Sequence, residues 1–410
     1  MKTTKVALDT LGCKLNQAET ELLARELVQV GYELVTNVSQ ADIYILNTCT
    51  VTHTADRKAR HRLRQSYRRN PGVFVVATGC YARRARQELT RIDGVNLVAG
   101  SNENKHLLRL ISDASHQERP VAPDKGTRTP SPPAFRTRTF VKVQDGCDTP
   151  CSYCIVPLVR GRETSLPASE IIAEVGNRVA EGYQEVVLTG TKIGTYHNNG
   201  IDLKGLLERI LAETSVPRLR LSSLQPHEIS PDLLSLWADD RLCPHFHLSL
   251  QSGSDPILAR MRRRYDTTEY EQAVSLIRGS VPDVAITTDI IVGFPGETDE
   301  EFEESCRFCQ RMEFARIHVF PFSARSCTEA AQMPDQIDSR TKKIRTDTML
   351  ALAEESARNF RQRFSGKTMT VLWEQRTGDY IWSGVTGNYI RVFTESKEDL
   401  NNQLMPVKLA

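Results

Sequence analysis

The amino-acid sequence predicts an α/β protein with three parts: an N-terminal parallel sheet flanked by helices, a central partial (β/α)6 TIM-like barrel, and a small C-terminal β-barrel. Short apolar runs alternate with amphipathic helical segments over residues 5–113, and the alternation resumes from Phe140. After Gly366 the pattern changes to short alternating strands separated by Gly and Asn turns. We expect domains at residues 1–114, 136–364 and 365–410, with a linker at 115–135.

Length and charge narrow the class of protein. A chain of 410 residues exceeds one ordinary core, and its 53 basic and 51 acidic residues nearly cancel, so bulk charge favours no class of partner. Ten cysteines are too few for a disulfide scaffold, the chain opens on a strand pattern, and no run of about 18 apolar residues occurs. We therefore expect a cytoplasmic monomer with reduced thiols and no membrane contact.

A cysteine follows each of the first three strands expected in the N-terminal part. Cys13, Cys49 and Cys80 come after strands at residues 5–11, 42–48 and 73–78, and a fourth strand is expected at 96–99. Because the carboxyl ends of parallel strands share one edge of a sheet, we expect these thiols to converge. Three buried cysteines that pack as small hydrophobes are the ordinary alternative. Their equivalent positions, in a chain with a further cysteine triplet, favour a cluster site.

Arginines are concentrated on the helical segments beside this edge. A run from residue 57 to 69 includes Arg57, Arg60 and Arg64, and Arg83 follows Cys80. A solvated helix face is the usual meaning of such a run, but contact with a phosphate backbone is an equally reasonable interpretation here.

Six strand-helix units follow the proline-rich linker. The expected strands are at residues 140–144, 185–189, 218–222, 245–250, 284–292 and 316–320, and helical patterns fill most of the gaps. Six such units fit a partial barrel whose functional groups lie at the carboxyl ends of the strands.

Directly after the first of these strands, Cys147, Cys151 and Cys154 have the spacing C-x3-C-x2-C. Three thiolates at this spacing can hold three corners of a 4Fe-4S cube and leave one iron open. A zinc site would need a second ligand pair, and neither His197 nor Cys243 provides one. A disulfide would leave one thiol over, so the spacing favours the iron-sulfur cluster.

The triplet, with Tyr153 before its last cysteine, resembles the signature of the radical S-adenosylmethionine (SAM) enzymes. In that family SAM chelates the open iron, and one electron cleaves it to a 5′-deoxyadenosyl radical. The polar and glycine-rich strand ends resemble the family's SAM pocket, although each alone is ordinary turn chemistry. The resemblance implies cofactor contacts from Tyr153, Thr189, Gly190, Ser222, Ser223, Gln251, Val292, Gly293 and Phe294.

Other charged residues and cysteines have simpler interpretations. Arg160 and the arginines after residue 259 could pair with the SAM carboxylate or with RNA phosphate, although solvated charge explains many of them. Cys243, Cys306, Cys309 and Cys327 are expected to pack in the core.

The C-terminal strands resemble a TRAM domain. Exposed aromatics beside a basic residue suit RNA contact, which could involve Trp373, Tyr380, Trp382, Tyr389 and Arg391. The ordinary alternative is that half of these aromatics form the core of the small barrel. With the two cysteine sites, this order of domains resembles the methylthiotransferases over essentially the whole chain. The form Gly12-Cys13-Lys14-Leu15-Asn16 is similar to that of the MtaB branch. Other segments that carry the resemblance are Asn47-Thr48-Cys49-Thr50-Val51, Thr78-Gly79-Cys80, Arg160-Gly161-Arg162-Glu163 and Leu250-Gln251-Ser252-Gly253.

The resemblance implies a reaction that adds a methylthio group to carbon 2 of N6-threonylcarbamoyladenosine at position 37 of tRNA. Cys13, Cys49 and Cys80 would hold an auxiliary 4Fe-4S cluster that accepts a methyl group from one SAM. A second SAM, at the cluster of the triplet, would provide the radical that removes hydrogen from the adenine. The anticodon stem-loop of tRNA, an external electron donor and a sulfur source are the expected partners.

Three alternatives remain open on the sequence alone. The substrate could instead be N6-isopentenyladenosine in tRNA, because the pocket that reads the adenine substituent is not recognisable. A ribosomal-protein methylthiotransferase has the same clusters and terminal domain but acts on an aspartate. A non-catalytic iron-sulfur protein that binds RNA or acts as a sensor is a different class, and the expected SAM pocket argues against it.

Overall fold

The computed structural model describes residues 3–115 and 137–409, so all of the expected linker except Ser115 lies outside the described residues. The chain forms two compact units. The first contains the residues up to 115 together with Gly146–Thr149 and Cys154–Glu163. The second contains the residues from 137 to Asp145, Pro150–Tyr153 and the chain from Thr164 onward. Among the described helices, we find none with the length and apolar character that crossing a membrane requires.

The first unit contains a five-stranded parallel sheet in the order β2-β1-β3-β4-β5. Its strands are β1 (Lys5–Thr10), β2 (Glu33–Val35), β3 (Ile43–Thr48), β4 (Phe74–Gly79) and β5 (Val95–Gly100). Its helices are α1 (Lys14–Gln29), α2 (His53–Arg69), α3 (Cys80–Arg84), α4 (Arg86–Thr90), α5 (Leu107–Ser115) and, later in the chain, α6 (Val156–Arg160). The expected parallel sheet is confirmed; β2, an edge strand of three residues, was not anticipated.

Helices cover both faces of this sheet. All six residues of β3 are buried, which is typical of a central strand in a parallel sheet. Alternate side chains go to opposite cores: Tyr44 and Leu46 pack with α2, whereas Ile43 and Ile45 pack with α1 and α5. Because β1, β3 and β4 are adjacent in the parallel sheet, their carboxyl ends are neighbours at one edge.

The second unit contains the partial barrel, which has two parallel sheets joined through one strand. The first sheet has the order β12-β9-β6 and the second β13-β14-β15-β16. Only Ser222 separates β12 from β13, so the third barrel strand continues from one sheet into the other. The barrel strands are β6 (Arg138–Lys142), β9 (Glu185–Thr189), β12 (Arg218–Leu221), β13 (Ser223–Leu224), β14 (His245–Leu248), β15 (Ala285–Val292) and β16 (Arg316–Pro321).

Helices pack on the outside of these strands, with apolar residues of every barrel strand contributing to one core. The helices of this unit are α7 (Ala168–Ala180), α8 (Leu203–Glu213), α9 (Pro231–Leu234), α10 (Asp255–Arg260), α11 (Thr267–Ser280), α12 (Asp299–Met312) and α13 (Ser339–Gln362). Two short antiparallel pairs complete it: β7 (Gln144–Asp145) with β8 (Thr164–Ser165), and β10 (His197–Asn198) with β11 (Ile201–Asp202). The predicted barrel is confirmed.

The C-terminal segment is a curled, four-stranded antiparallel sheet in the order β19-β18-β17-β20. Trp373 and Trp382 are buried in its small core. The strands are β17 (Thr368–Arg376), β18 (Ile381–Thr386), β19 (Arg391–Glu395) and β20 (Leu404–Lys408). The sheet curls only halfway around, so it is a half-barrel of the class that the sequence predicted.

A buried charge cluster connects this sheet to the amino end of the barrel. Glu185 is fully buried, with Oε1 2.7 Å from Arg220 Nε and Oε2 2.7 Å from Arg218 Nη2. Arg220 also donates to the carbonyl oxygen of Gly387 and lies against the ring of Tyr389. Burial alone would raise the pKa of Glu185, but the arginines lower it to about 2. The cluster fixes one end of the barrel and keeps this carboxylate ionised.

Candidate functional site

The structure places the three cysteines of the first unit at adjacent strand ends. Cys13 precedes α1, Cys49 follows β3, and Cys80 is the first residue of α3. Because β1, β3 and β4 are neighbours in the sheet, the three cysteines lie at one edge of it. Gly12, directly before Cys13, approaches Cys49 so closely that a Cβ on it would lie 3.3 Å from the Cys49 Sγ.

Two glycines allow the chain to approach this closely. Gly12 has φ +119°, and a Cβ there would lie 2.8 Å from the Cβ of Cys49. Gly79 has φ +95°, and a Cβ there would lie 2.3 Å from the side-chain oxygen of Asn47. Both conformations are strained for any residue with a side chain, so these positions require glycine.

Burial determines the state of two of these thiols. It raises the pKa of Cys49 to about 11 and that of Cys80 to about 12, whereas Cys13 is exposed. Burial favours the neutral thiol form of Cys49 and Cys80. An iron-sulfur cluster instead binds cysteine as the thiolate. Three free thiols at one sheet edge have the donor set that a 4Fe-4S cluster with one open iron requires.

Two buried asparagines hold the loops that carry the cysteines. Asn16 Nδ2 donates to the carbonyl oxygens of Leu11 and Thr48, at 2.9 and 3.2 Å. The Asn16 Oδ1 lies 3.6 Å from the Sγ of Cys13. Asn47 Nδ2 in turn donates to the carbonyl oxygen of Asn16, at 3.0 Å. These contacts connect the end of β1 to the end of β3 and keep both loops in place.

Arg160 lies in the same network, which corrects its expected pairing with the SAM carboxylate or with RNA phosphate. Its guanidinium contacts both carboxylate oxygens of Glu19, at 2.7 and 3.2 Å, and Asn16 Oδ1 at 2.6 Å. The pairing joins residues 141 positions apart in the sequence. No local pattern predicts such a contact.

The loop of the triplet is held from its backbone. Cys147 N donates to the carbonyl oxygen of Gly161 at 3.1 Å, and Thr149 N lies 3.4 Å from the Sγ of Cys147. Ser152 N donates to Met261 O, and its hydroxyl donates to Arg260 O at 2.8 Å. The three cysteine side chains are free of disulfides. Three free thiols in a segment held by backbone hydrogen bonds are consistent with the cluster that the spacing predicts.

Arg263, which the sequence did not single out from its neighbours, contacts the triplet. Its Nη1 lies 3.3 Å from the Sγ of Cys151, and its Nε donates to the hydroxyl of Tyr265 at 2.9 Å. Arg260 and Arg262 instead pair with Glu301 and Glu329. The positive side chain of Arg263 therefore suits a thiolate ligand at Cys151.

Several strand ends expected to bind SAM carry buried polar atoms. The Ser222 hydroxyl and the Thr191 hydroxyl are buried, and neither has a hydrogen-bond partner among the described residues. Such orphaned groups are rare in folded proteins and suit a polar ligand. Thr189 ends β9 with Gly190 directly after it, and Ser223 begins β13. Gln251 has φ +73°, and its backbone bonds to Asp289 and Ile291 at 2.8 and 2.9 Å.

The fifth strand end combines packed rings with a fixed backbone. Val292 and Phe294 are buried, and the Phe294 ring meets that of Tyr153 edge to face at 6.5 Å. Gly293 N donates to Glu297 Oε2 at 2.6 Å. Phe294 packs as part of an apolar cluster, so at this position only backbone atoms remain for contact with a ligand.

The arginines of the first unit surround an open hollow of about 810 Å³ beside α2 and α3. Arg60 pairs with Glu88 at 2.9 Å, and Arg84 pairs with Asp56 at 2.8 Å. In the described part of the chain, Arg64, Arg83 and Arg91 have no carboxylate partner. The exposed Arg57 lies on α2, outside the hollow's lining. A surface with uncompensated positive charge results.

The C-terminal sheet presents less to a partner than its composition suggests. Trp373, Trp382 and Tyr389 pack inside the unit, as expected for about half of the aromatics, whereas Tyr380 is exposed. Arg391 donates to the hydroxyl of Ser383 and pairs with Glu374 at 3.2 Å.

The remaining four cysteines are free of disulfides. Cys243 and Cys309 are buried and Cys306 is half-buried, as expected for packing residues. Cys327 is exposed, so the expectation that it packs in the core was wrong.

Reasoning from the sequence missed one further group, on three adjacent parallel strands. His247, Asp289 and His318 have ligand atoms within 4.8 Å of one another, with His247 Nε2 3.2 Å from Asp289 Oδ2. Thr287 Oγ1 lies 3.0 Å from the other ring nitrogen of His247. The alternation of polar and apolar residues along β14 and β15 would have placed His247 and Asp289 on one face.

Known proteins resemble this chain over its whole length. The model of "Uncharacterized protein family UPF0004" matches residues 5–100, and that of the "Radical SAM superfamily" matches residues 141–330. Threonylcarbamoyladenosine tRNA methylthiotransferase MtaB of Aquifex aeolicus is 37% identical over 97% of this chain and 98% of its own length. The MtaB protein of Bacillus subtilis is 34% identical over 98% of this chain and 93% of its own.

A related enzyme and a solved structure complete the comparison. A tRNA-2-methylthio-N(6)-dimethylallyladenosine synthase of Syntrophotalea carbinolica is 35% identical over 98% of this chain and 96% of its own length. The radical SAM methyltransferase TsrM of Kitasatospora setae has the same fold, with a TM-score of 0.58 at 15% identity over 80% of this chain and 77% of its own. At 34–37% identity to MtaB proteins over at least 95% of its length, the chain belongs to the radical SAM methylthiotransferase family, in its MtaB branch.

Proposed function

We propose that this protein adds a methylthio group to carbon 2 of N6-threonylcarbamoyladenosine at position 37 of tRNA. The position of Cys13, Cys49 and Cys80 at one edge of the sheet carries the proposal, because a methylthiotransferase needs a second cluster besides that of the radical SAM triplet. MtaB relatives at 34–37% identity support the choice of substrate. Because tRNA is the proposed substrate, we expect the enzyme to act in the cytoplasm.

The cofactors are two 4Fe-4S clusters and SAM. Cys13, Cys49 and Cys80 would hold the auxiliary cluster, and the triplet would hold the cluster that binds SAM. When bound, these groups supply methyl transfer, hydrogen abstraction and sulfur insertion, which amino-acid side chains do not perform. An external electron donor and a sulfur source would be the further partners of such a reaction.

The chain's own residues bind and orient these groups. The hydroxyls of Ser222 and Thr191 offer polar contacts to SAM, and Gly293 N holds the fifth strand end against Glu297. Asn16 and Asn47 fix the cysteine loops of the other site. The adenine must leave its stack in the anticodon loop to reach a buried reaction centre.

The arginine-lined hollow of the first unit supports contact with the RNA backbone. Arg64, Arg83 and Arg91 lack a carboxylate partner among the described residues, so their charge is available to phosphates. Such contacts orient the RNA but do not read its sequence.

A second candidate is the dimethylallyl (isopentenyl) form of the same nucleoside. The observation that favours it is the 35% identity to a tRNA-2-methylthio-N(6)-dimethylallyladenosine synthase, which is within the range of the MtaB relatives. The two substrates differ in charge, since only threonylcarbamoyl carries a carboxylate.

The test uses protein reconstituted anaerobically with iron and sulfide, then incubated with SAM, dithionite and tRNA that lacks the methylthio group. Nucleosides from digested RNA are identified by mass. We expect 2-methylthio-N6-threonylcarbamoyladenosine to appear. Conversion of the dimethylallyl nucleoside instead would select the second candidate. If SAM is cleaved and no nucleoside changes, an aspartate of a ribosomal protein becomes the substrate to test.

A further inference from the structure

We propose that Arg160 is a positioning residue of the auxiliary site: it holds the loop that carries Cys13 and places a fixed positive charge beside the three thiols. The inference rests on the proposed function, because it takes this site to hold an iron-sulfur cluster. It assigns to Arg160 a role at the N-terminal site, although the residue follows the radical SAM triplet in the sequence.

The Arg160 side chain is buried and donates hydrogen bonds to two residues. It contacts both oxygens of Glu19, at 2.7 and 3.2 Å, and Asn16 Oδ1 at 2.6 Å. The side chain of Arg160 is 3% exposed and that of Glu19 is 10% exposed. A pair buried to this extent has a defined geometry, unlike a solvated surface pair.

Through Asn16 the guanidinium acts on the cysteine loops. By donating to Asn16 Oδ1, Arg160 fixes which end of the amide faces the sheet, and the Nδ2 then reaches the carbonyl oxygens of Leu11 and Thr48. Leu11 lies two residues before Cys13, and Thr48 directly precedes Cys49. One arginine therefore orders two of the three loops that carry ligands.

The backbone of Arg160 is itself anchored at this site. The hydroxyl of Ser101 donates to the carbonyl oxygen of Val159 at 2.8 Å. Ile155 and Val159 pack with Cys80 in a small buried cluster. Helix α6 therefore forms part of the wall around the third cysteine, and Arg160 at its end cannot swing away.

The charge of Arg160 lies near the site as well. The Asn16 Oδ1 that accepts its hydrogen bond is 3.6 Å from the Sγ of Cys13, so the guanidinium is one side chain away from that thiol. A reduced cluster carries one more negative charge than an oxidised one, so a nearby cation stabilises the reduced form. The presence of Arg160 is expected to raise the reduction potential of the auxiliary cluster.

The test isolates the auxiliary cluster by replacing Cys147, Cys151 and Cys154 with Ala. In that background Arg160→Gln is compared with Glu19→Gln, which retains the guanidinium, and with Arg162→Gln, a control at an exposed neighbour. Bound iron, the electron paramagnetic resonance spectrum of the reduced cluster and its midpoint potential are measured, with circular dichroism to check folding.

We expect Arg160→Gln to lower the midpoint potential and change the spectrum, Glu19→Gln to change the spectrum without lowering the potential, and Arg162→Gln to change neither. An unchanged spectrum and potential in Arg160→Gln would overturn the inference alone. Failure of the parent with intact Arg160 to bind any cluster would overturn the proposed function and this inference with it.

Discussion

The Nη1 of Arg263 lies 3.3 Å from the Sγ of Cys151, the middle cysteine of the triplet. The guanidinium is held in place by the hydroxyl of Tyr265, whose ring lies 4.8 Å from it. A cation at this distance donates a charge-assisted hydrogen bond to a thiolate and stabilises a reduced cluster. We therefore expect Arg263 to support the reductive cleavage of SAM at this cysteine.

Replacing Arg263 with Gln should slow SAM cleavage by about 10- to 100-fold, as is usual when a partner of a metal ligand is removed. The reason is the loss of the cation at Cys151, which lowers the potential of the cluster. Release of 5′-deoxyadenosine under dithionite measures the effect. Arg262→Gln, at an exposed neighbour paired with Glu329, is the control and should cleave SAM at the rate of the unchanged protein. Equal rates in the two variants would contradict this role.

Acid should destabilise the second unit through Glu185. Its folded pKa, about 2, is below the ordinary value of 4.5, so the carboxylate contributes stability above about pH 4.5. That contribution is lost as the pH falls from about 4.5 toward 2. The thermal unfolding midpoint of the unchanged protein should fall across this pH range. The midpoint of Glu185→Gln should be lower near neutral pH but should decrease less on acidification. Parallel curves for the two proteins would rule out this linkage.

Alkylation of the metal-free protein should distinguish the auxiliary cysteines. Cys13 is exposed and should react first with iodoacetamide, whereas the pKa of Cys49, raised to about 11 by burial, keeps it protonated at neutral pH. Because the thiolate is the nucleophile, modification of Cys49 should accelerate about tenfold per unit between about pH 7 and 9. Peptide mass mapping measures both rates. A plateau for Cys49 below pH 9 would show that its pKa is not raised.

Removing charge from the arginine hollow should weaken tRNA binding in a salt-dependent way. Three single variants replace Arg64, Arg83 or Arg91 with Gln. Each should reduce the slope of log affinity against log salt by about 0.7 to 0.9, if the residue contacts one phosphate. Fluorescence anisotropy with labelled tRNA measures the slopes. Arg307→Gln, at an exposed arginine on α12 that pairs with Glu303, is the control. Slopes equal to that of the control would remove this surface from the RNA interface.

Local sequence patterns predicted the strands well because each strand depends on residues close together in the chain. Alternating polarity defines β14 and β15, and a strand end fixes where Cys49 and Cys80 lie. The contact of Arg160 with Glu19 had no such signal, since it depends on how distant segments pack. The edge strand β2 was too short to show a period.

The C-terminal aromatics illustrate the same limit. Trp373 and Tyr380 have the same expected role by composition, yet the first is buried and the second exposed. Which face of a small sheet carries its core depends on what it packs against. In this chain Tyr389 stacks on His245 and Arg220, and neither partner can be identified from the residues around Tyr389.

We expect the two cysteine sites to perform different parts of one reaction. The most direct test measures 5′-deoxyadenosine and methylthio-nucleoside together in two variants, Cys13→Ala and Cys147→Ala, each reconstituted and supplied with SAM, dithionite and tRNA. We predict that Cys13→Ala still cleaves SAM but makes no methylthio product, whereas Cys147→Ala does neither. Methylthio product from Cys13→Ala at the rate of the unchanged protein would contradict the account.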